Sequence, residues 1–257
     1  MLITAQYQPV SFFSLRPANA TSSGGKTLLV PTPFAIKMAL LSTAIQSRGL
    51  AEGERLFPFL RDLDLFLEPP QELIILKSFS KIRRELKDKN NPEKAQRARD
   101  EKEFPLQPTI AYREYVNYRG SLQLACQLDE SNPLVEILPD LLLQINYLGK
   151  RGGFLQILES PQYSDKSPAG DFVHLTAPIM HTYSTHGTLQ MLDDCGAQLT
   201  FDKANIYSTA KIVLHKDRIL RHIVLPYEQI RSSRSYSWYQ RFSETPDPGH
   251  EIVLSKL

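Results

Sequence analysis

"SSGGKTLLVPTPFAIKMALLSTAIQSRG", residues 22–49, places GGKT ahead of a long apolar run, and two folds compete for it. A phosphate-binding loop would make the chain an α/β nucleotide hydrolase. A turn, a strand and a capped helix would not. The phosphate-binding loop needs G-x-x-x-x-G-K-[ST] between a strand and a helix, its first glycine opening the turn that aims backbone N–H groups at phosphate oxygens. Counting back from Gly25, that place is held by Ala20. Lys26 and Thr27 should also start the helix, but Leu28-Leu29-Val30 and then Pro31-Thr32-Pro33 follow. Thr32 suits an N-cap and Pro33 the first helical position, so the helix spans about 33–47 and Lys26 lies outside it. What remains is a loop carrying Arg16 and Lys26, bounded by a strand and a capped helix.

Working outward, residues 2–15 (LITAQYQPVSFFSL) are rich in β-formers, with Pro9 marking an edge or a break. A shorter helix fits 52–61, and Pro69-Pro70 ends that connection. QELIILKSF, 71–79, reads as a second strand. From Ser80 to Glu103 the chain is almost without apolar residues: SKIRRELKDKNNPEKAQRARDEKE. A third strand fits 111–128. A second helix fits 133–146, with Asn132 as N-cap and Pro139 as a weak point. A fourth strand fits 154–159. The order β-α-β-β-α-β predicts an α+β, ferredoxin-like (RRM-like) palm, an antiparallel sheet with two helices on one face. The uncovered face of such a sheet binds RNA in RNA-recognition modules. The charged excursion falls at the hairpin position, so a basic β-hairpin thumb inserted at about 80–110 is expected. Beyond the linker at 160–171, DFVHLT, TLQML, QLTF and KIVLH read as short strands. The expected division is a palm over 1–160 and a smaller β-rich part over 161–257.

The bulk composition neither announces nor excludes a nucleic-acid partner: net charge is +2 over 257 residues, so the placement of charges decides. The N-terminus lacks the pattern of a signal peptide, and no apolar run is long enough to cross a bilayer. Cys126 and Cys195 form no CxxC pair. Buried free thiols, a cytoplasmic setting, no membrane, no cofactor and no metal are the expectations.

Three stretches carry the chemistry. Lys81, Arg83 and Arg84 form the purest basic cluster, suited to phosphate neutralisation without sequence readout; the mixed part, 85–103, fits a phosphate-binding arm and a solvated loop whose acids and bases cancel equally well. YLGKRGGF, 147–154, sets Lys150 and Arg151 beside Gly152 and Gly153, a loop that lets a backbone approach closely. A helix C-cap would explain Gly149 but not the Gly152-Gly153 pair. RSSRSYSWYQRF, 231–242, interleaves Arg231 and Arg234 with aromatics, as stacking surfaces for unpaired bases do, and equally as an edge strand does. Of the six histidines, His181 and His186 share HTYSTH, with no carboxylate at ligand spacing; hydrogen-bonded structural roles are expected. Asp193-Asp194 reads as a turn.

Taken together, the proline-then-helix segment VPTPFAIKMALLSTAI, the basic hairpin insert and YLGKRGGFLQ resemble the RAMP superfamily of CRISPR-associated proteins. Within it they are most similar to the type I Cascade subunit that caps the 5′ end of the guide RNA. The resemblance covers about residues 1–160. It implies a non-catalytic subunit whose palm and thumb hold the crRNA 5′ handle. It also implies contacts with the backbone subunit and the large PAM-reading subunit, and with target DNA through the complex. By motif position, Arg16 and Lys26 fall in the loop before helix one, Lys81, Arg83 and Arg84 at the thumb base, and Lys150, Arg151, Gly152 and Gly153 in the glycine-rich loop. Some relatives cleave precursor crRNA without metal. On that alternative His181, His186 and Tyr183 would supply acid–base groups. An unrelated ferredoxin-like interaction module is the third possibility.

Overall fold

The computed structural model describes residues 1–20, 25–86, 90–149, 152–165, 168, 171–178, 186–205 and 207–242. In chain order the elements are β1 (Leu2–Pro9), α1 (Pro33–Arg48), α2 (Leu50–Arg61), β2 (Asp64–Glu68), β3 (Glu72–Glu85), α3 (Pro92–Asp100), β4 (Leu106–Arg119), β5 (Leu122–Gln127) and α4 (Leu138–Gln144). There follow β6 (Leu155–Ile157), β7 (Gln162–Ser164), β8 (Val173–His174), β9 (Thr188–Cys195), α5 (Phe201–Ala204), β10 (Arg218–Leu225), β11 (Tyr227–Ser232) and β12 (Tyr236–Arg241). The fold is mixed α/β, and its named strand pairs are antiparallel.

The first sheet runs β6-β1-β5-β2-β8, with β7 also on β1. Its strands alternate: Ile3, Ala5 and Tyr7 are buried together with Leu122, Leu124 and Cys126 and with Leu65 and Leu67. That face meets the apolar sides of α1 (Ile36, Leu40, Ala44) and α4 (Leu138, Leu141, Leu142) in one core, and the Tyr7 hydroxyl donates to Leu142 O at 2.8 Å. The other face presents half-exposed Thr4, Gln6, Phe66 and Gln123. Helix α1 starts as its sequence dictates. Thr32 Oγ1 accepts from Ala35 N at 3.1 Å and Pro33 leads the first turn.

The second sheet runs β11-β12-β3-β4. Here the structure corrects two strand assignments. The second strand of the first sheet is Asp64–Glu68, not 71–79, and the expected strand at 111–128 is two strands. The chain leaves the first sheet at Pro69-Pro70 and returns at Gly120, whose φ of +123° suits glycine. A Cβ there would lie 3.4 Å from Pro70, so both crossings share one corner. The buried Tyr227 hydroxyl fixes that corner by donating to Pro70 O at 2.6 Å. The strand β12 pairs with β3 only as far as Leu76. Among the described residues no strand covers that side of β3 from Ser78 to Glu85, while β4 follows it throughout.

Further corrections lie in the helices and the C-terminal part. The second helix begins at Leu138, so Pro139 occupies its first turn rather than weakening its middle. QLTF enters α5, and KIVLH precedes β10 instead of forming a strand. Asp193 and Asp194 are buried in β9, not in a turn. Asp194 Oδ1 accepts from Lys37 Nζ of α1 at 2.8 Å and from Cys195 N at 2.7 Å, and Oδ2 from Arg221 Nε at 2.8 Å. Such burial is tolerable only with every charge met, and here the partners come from distant elements. The paired β9 and β10 are thereby locked onto α1, and β7, β8 and β12 extend sheets built from residues before 160.

Candidate nucleic-acid interface

Between β1 and α1, residues 10–20 and 25–32 meet the free edge of β4 through Phe13 and Gly25. Phe13 exchanges backbone hydrogen bonds with Val116 (2.9 and 2.6 Å), Leu28 N donates to Leu15 O at 2.7 Å, and Glu114 N donates to Gly25 O at 2.8 Å. A Cβ on Gly25 would fall 1.8 Å from Tyr112 O. The glycine of GGKT is therefore a packing contact that brings loop and strand together, not part of a phosphate cradle. The Glu114 side chain, 7% exposed, secures it: Oε2 accepts from Thr27 N at 3.0 Å, and Oε1 from the Tyr112 hydroxyl. Burial and this bond push the Tyr112 phenol up to about 12. Lys26 follows Gly25 directly and is exposed; so is Arg16, whose guanidinium donates to Ala20 O at 3.1 Å.

The glycine-rich loop packs against the same segment. It is pinched by the Tyr147–Phe154 bridge and by Leu148 N donating to Gly153 O at 3.0 Å. Gly149 has φ +75°, and a Cβ on it would meet Leu15 at 2.2 Å. A Cβ on Gly153 would meet Leu148 O at 2.7 Å and the Phe13 ring at 3.1 Å. Gly152, at φ +105° with open space around it, accepts a hydrogen bond on its carbonyl from Ser11 Oγ at 3.0 Å. Gly149 is thus not a helix cap, since α4 ends at Gln144. Lys150 and Arg151 lie outside the described residues, as do His181 and Tyr183.

The paired β3 and β4 project beyond these loops. Alternation and register put Phe79, Lys81 and Arg83 on one face with Tyr112, Ile110 and Pro108, and Arg84 on the other. Phe79 and Ile110 are 59% and 68% exposed, and the Phe79 and Tyr112 rings stand 4.9 Å apart. Lys81 lies about 7 Å beyond Phe79 along the strand. Lys81, Arg83 and Arg84 are exposed and have no carboxylate partner among the described residues. At the tip, Asn91 caps α3, its side chain accepting from Glu93 N and Lys94 N. It carries the i,i+4 pair Arg97–Glu101 at 3.0 Å, so part of the mixed-charge segment satisfies itself.

Arg231 and Arg234 are placed elsewhere. Arg231 is in β11 and Arg234 in the turn to β12, at the sheet edge opposite the two loops, β11 standing three strand spacings, about 14 Å, from β4. The Arg231 guanidinium lies 5.8 Å from the Tyr236 ring centroid. Among the histidines, His174 Nε2 meets Asp64 Oδ1 at 2.6 Å and its ring stacks on Phe66 at 4.2 Å; His186 stands edge-on to Phe242 at 6.5 Å. Among the described residues no group of His, Cys, Asp and Glu is placed to hold a metal, and no helix is long and apolar enough to cross a membrane. Sequence reading missed Ser11, Phe13 and Leu15 as the segment joining the two loops, and exposed Phe79 and Ile110 with half-buried Tyr112 as companions of the basic cluster. Alternation in FSKIRR was the available signal for the second group.

Mixed α/β architecture with antiparallel sheets, carrying loops and a basic hairpin along one edge, defines the class. No protein-family model matches the sequence. The chain is similar to CRISPR-associated proteins. It is 31% identical over 148 residues to CRISPR-associated protein Cas5 of Archaeoglobus fulgidus, a stretch taking in 57% of this chain and 58% of that relative. Among solved structures, a CRISPR protein from Archaeoglobus fulgidus is 11% identical with a TM-score of 0.41, covering 94% of this chain and 92% of that one. A chain of a CRISPR RNA-guided surveillance complex is 13% identical with a TM-score of 0.42, covering 95% and 90%.

Proposed function

We propose that this protein is a non-catalytic, Cas5-type subunit of a type I Cascade complex that holds the 5′ handle of the guide RNA. In this reading β6-β1-β5-β2 with α1 and α4 is the ferredoxin-like palm, the paired β3 and β4 are the thumb, and β7, β8 and β12 brace both. The strand order and the identity to Cas5 support it. One observation carries it: Ser11, Phe13 and Leu15 clamp the glycine-rich loop to the Lys26 loop, directly beside a hairpin whose Lys81, Arg83 and Arg84 have no carboxylate partner among the described residues. A bent phosphate backbone fits against close-packed glycines, and the free cations beside it offset the phosphate charge. The backbone subunit, the large PAM-reading subunit and, through them, target DNA are the partners.

The test is co-purification with the operon neighbours, followed by salt titration. A defined small RNA should accompany the protein. Lys81→Ala with Arg83→Ala should lower the slope of log K against log salt by about 1.4, two contacts at about 0.7 each for a single strand. Absence of RNA, or an unchanged slope, overturns the reading. Site-specific cutting of repeat RNA by the purified chain would replace it with the endoribonuclease.

A further inference from the structure

The outer part of β4 carries an alternation that the fold leaves unused. Along LQPTIAY the apolar residues fall at every second place, Leu106, Pro108, Ile110 and Tyr112, the pattern by which a strand marks the face it buries. Here that face is the open one. Leu106 and Ile110 are 39% and 68% exposed and Pro108 is exposed, whereas Gln107, Thr109 and Ala111 between them are half-buried. Register sets β3 beside this row rung by rung, Phe79 against Tyr112, Lys81 against Ile110 and Arg83 against Pro108. Two lanes result, apolar on β4 and cationic on β3, about 4.8 Å apart, with rungs repeating about every 6.8 Å. Phe79 opens the face: its ring stands 4.9 Å from that of Tyr112, and the residue is still 59% exposed. Contiguous exposed apolar surface of this kind marks a contact site. Lys81 and Arg83, exposed and without a carboxylate partner among the described residues, give that site its charge.

We propose that this face of the hairpin takes single-stranded RNA lengthwise, with phosphates along Lys81 and Arg83 and unpaired bases laid over Phe79, Tyr112 and Ile110. The proposal rests on the reading of the protein as an RNA-binding subunit and names how the hairpin holds the strand. Each nucleotide supplies one phosphate and one flat base. Each of the two outer rungs supplies one cation and one apolar side chain, and the inner rung supplies a pair of rings. Bases stack on such rings whatever their identity, because every base has a π-face. A protein segment in the same place would have to bury Lys81 and Arg83 against carboxylates spaced at the same two-residue repeat, whereas a polynucleotide carries its charge at every unit. The contact therefore reads the presence of bases, not their sequence.

Oligoadenylate and an abasic ribose-phosphate chain of equal length, which carry the same charge and differ only in the bases, are the probes, bound to the full chain at fixed salt. Oligoadenylate should bind about tenfold tighter. Phe79→Ala with Ile110→Ala, both at exposed positions, should bring oligoadenylate down to the abasic level and leave abasic binding and both salt slopes unchanged. Ile82→Ala, between the two cations but on the opposite face, should keep the preference once its melting temperature is shown to be retained. Equal binding of the two probes to the wild type, or a preference that survives the double change, overturns the proposal while leaving the RNA-holding function in place. The second of these is the result expected if the face meets another protein. A preference lost equally in a stably folded Ile82→Ala overturns it too, since the effect would then not belong to one face. Binding of neither probe overturns the function itself.

Discussion

Gly25→Ala separates a packing glycine from a phosphate-cradle glycine. The new Cβ would stand 1.8 Å from Tyr112 O, a backbone atom, so the loop must retreat by about 1.6 Å to reach ordinary contact at 3.4 Å. That retreat stretches two bonds: Glu114 N to Gly25 O, now 2.8 Å, and Thr27 N to the buried Glu114 carboxylate, now 3.0 Å. A neutral bond contributes about 1 kcal/mol and one to a charged group about 2, so about 3 kcal/mol of stability is at stake. For a chain of this length Tm should fall by about 8 °C. Thermal melting without any nucleotide is the assay, with RNA retention measured alongside, because Lys26 moves with the loop. A glycine reserved for phosphate has empty space beside it when no ligand is bound. An unchanged Tm in Gly25→Ala would therefore refute the packing role and reopen the nucleotide reading.

Two further outcomes follow from buried and half-buried charge. Lys37→Met leaves Asp194 with Arg221 but without its cation from α1, and should cost about 3 kcal/mol. Pairing it with Asp194→Asn should cost clearly less than the sum of the single changes, which a double-mutant cycle reads directly. For Asp64, burial raises the carboxyl pKa, but the His174 and Thr176 hydrogen bonds and the charges of His174 and Lys37 outweigh it, leaving the group below its ordinary value. A depressed folded-state pKa stabilises above the unfolded value and is lost as pH falls through the folded one. The Tm advantage of the wild type over Asp64→Asn should therefore be constant near neutrality and shrink below about pH 4. An advantage that persists in acid would show that shape, not charge, joins β8 to β2.

Local chemistry made some of this legible in the sequence. Thr32-Pro33 announced the start of α1, and the failure of the glycine spacing at Ala20 removed the nucleotide fold without any coordinates. What escaped was decided at a distance. DLFLE is five residues between a helix and two prolines, too short to outweigh the longer apolar run after it, yet it is the strand that completes the first sheet. Gly120 looked like one residue inside a strand until its closeness to Pro70 made it a corner. Asp193-Asp194 has the composition of a turn, and only Lys37, Arg218 and Arg221 make burial tolerable. The basic and glycine-rich stretches could be named from sequence, but their meeting through Ser11, Phe13 and Leu15 could not. Those three side chains carry no charge and no motif.

Among the described residues, the stretch of β3 past Lys77, whose amide still donates to Ser235 O at 2.8 Å, leaves a row of backbone amides and carbonyls open on one side. Bare edges of this kind invite a second copy to add its own strand, and natural sheets deter that with charge. Lys81, Arg83 and Arg84 sit along this stretch, so each cation that would meet a phosphate also repels the same margin of another molecule. Stripping them for the sake of weaker nucleic-acid affinity would thus remove a guard against self-association, and neutral variants are best followed by light scattering as well as by titration.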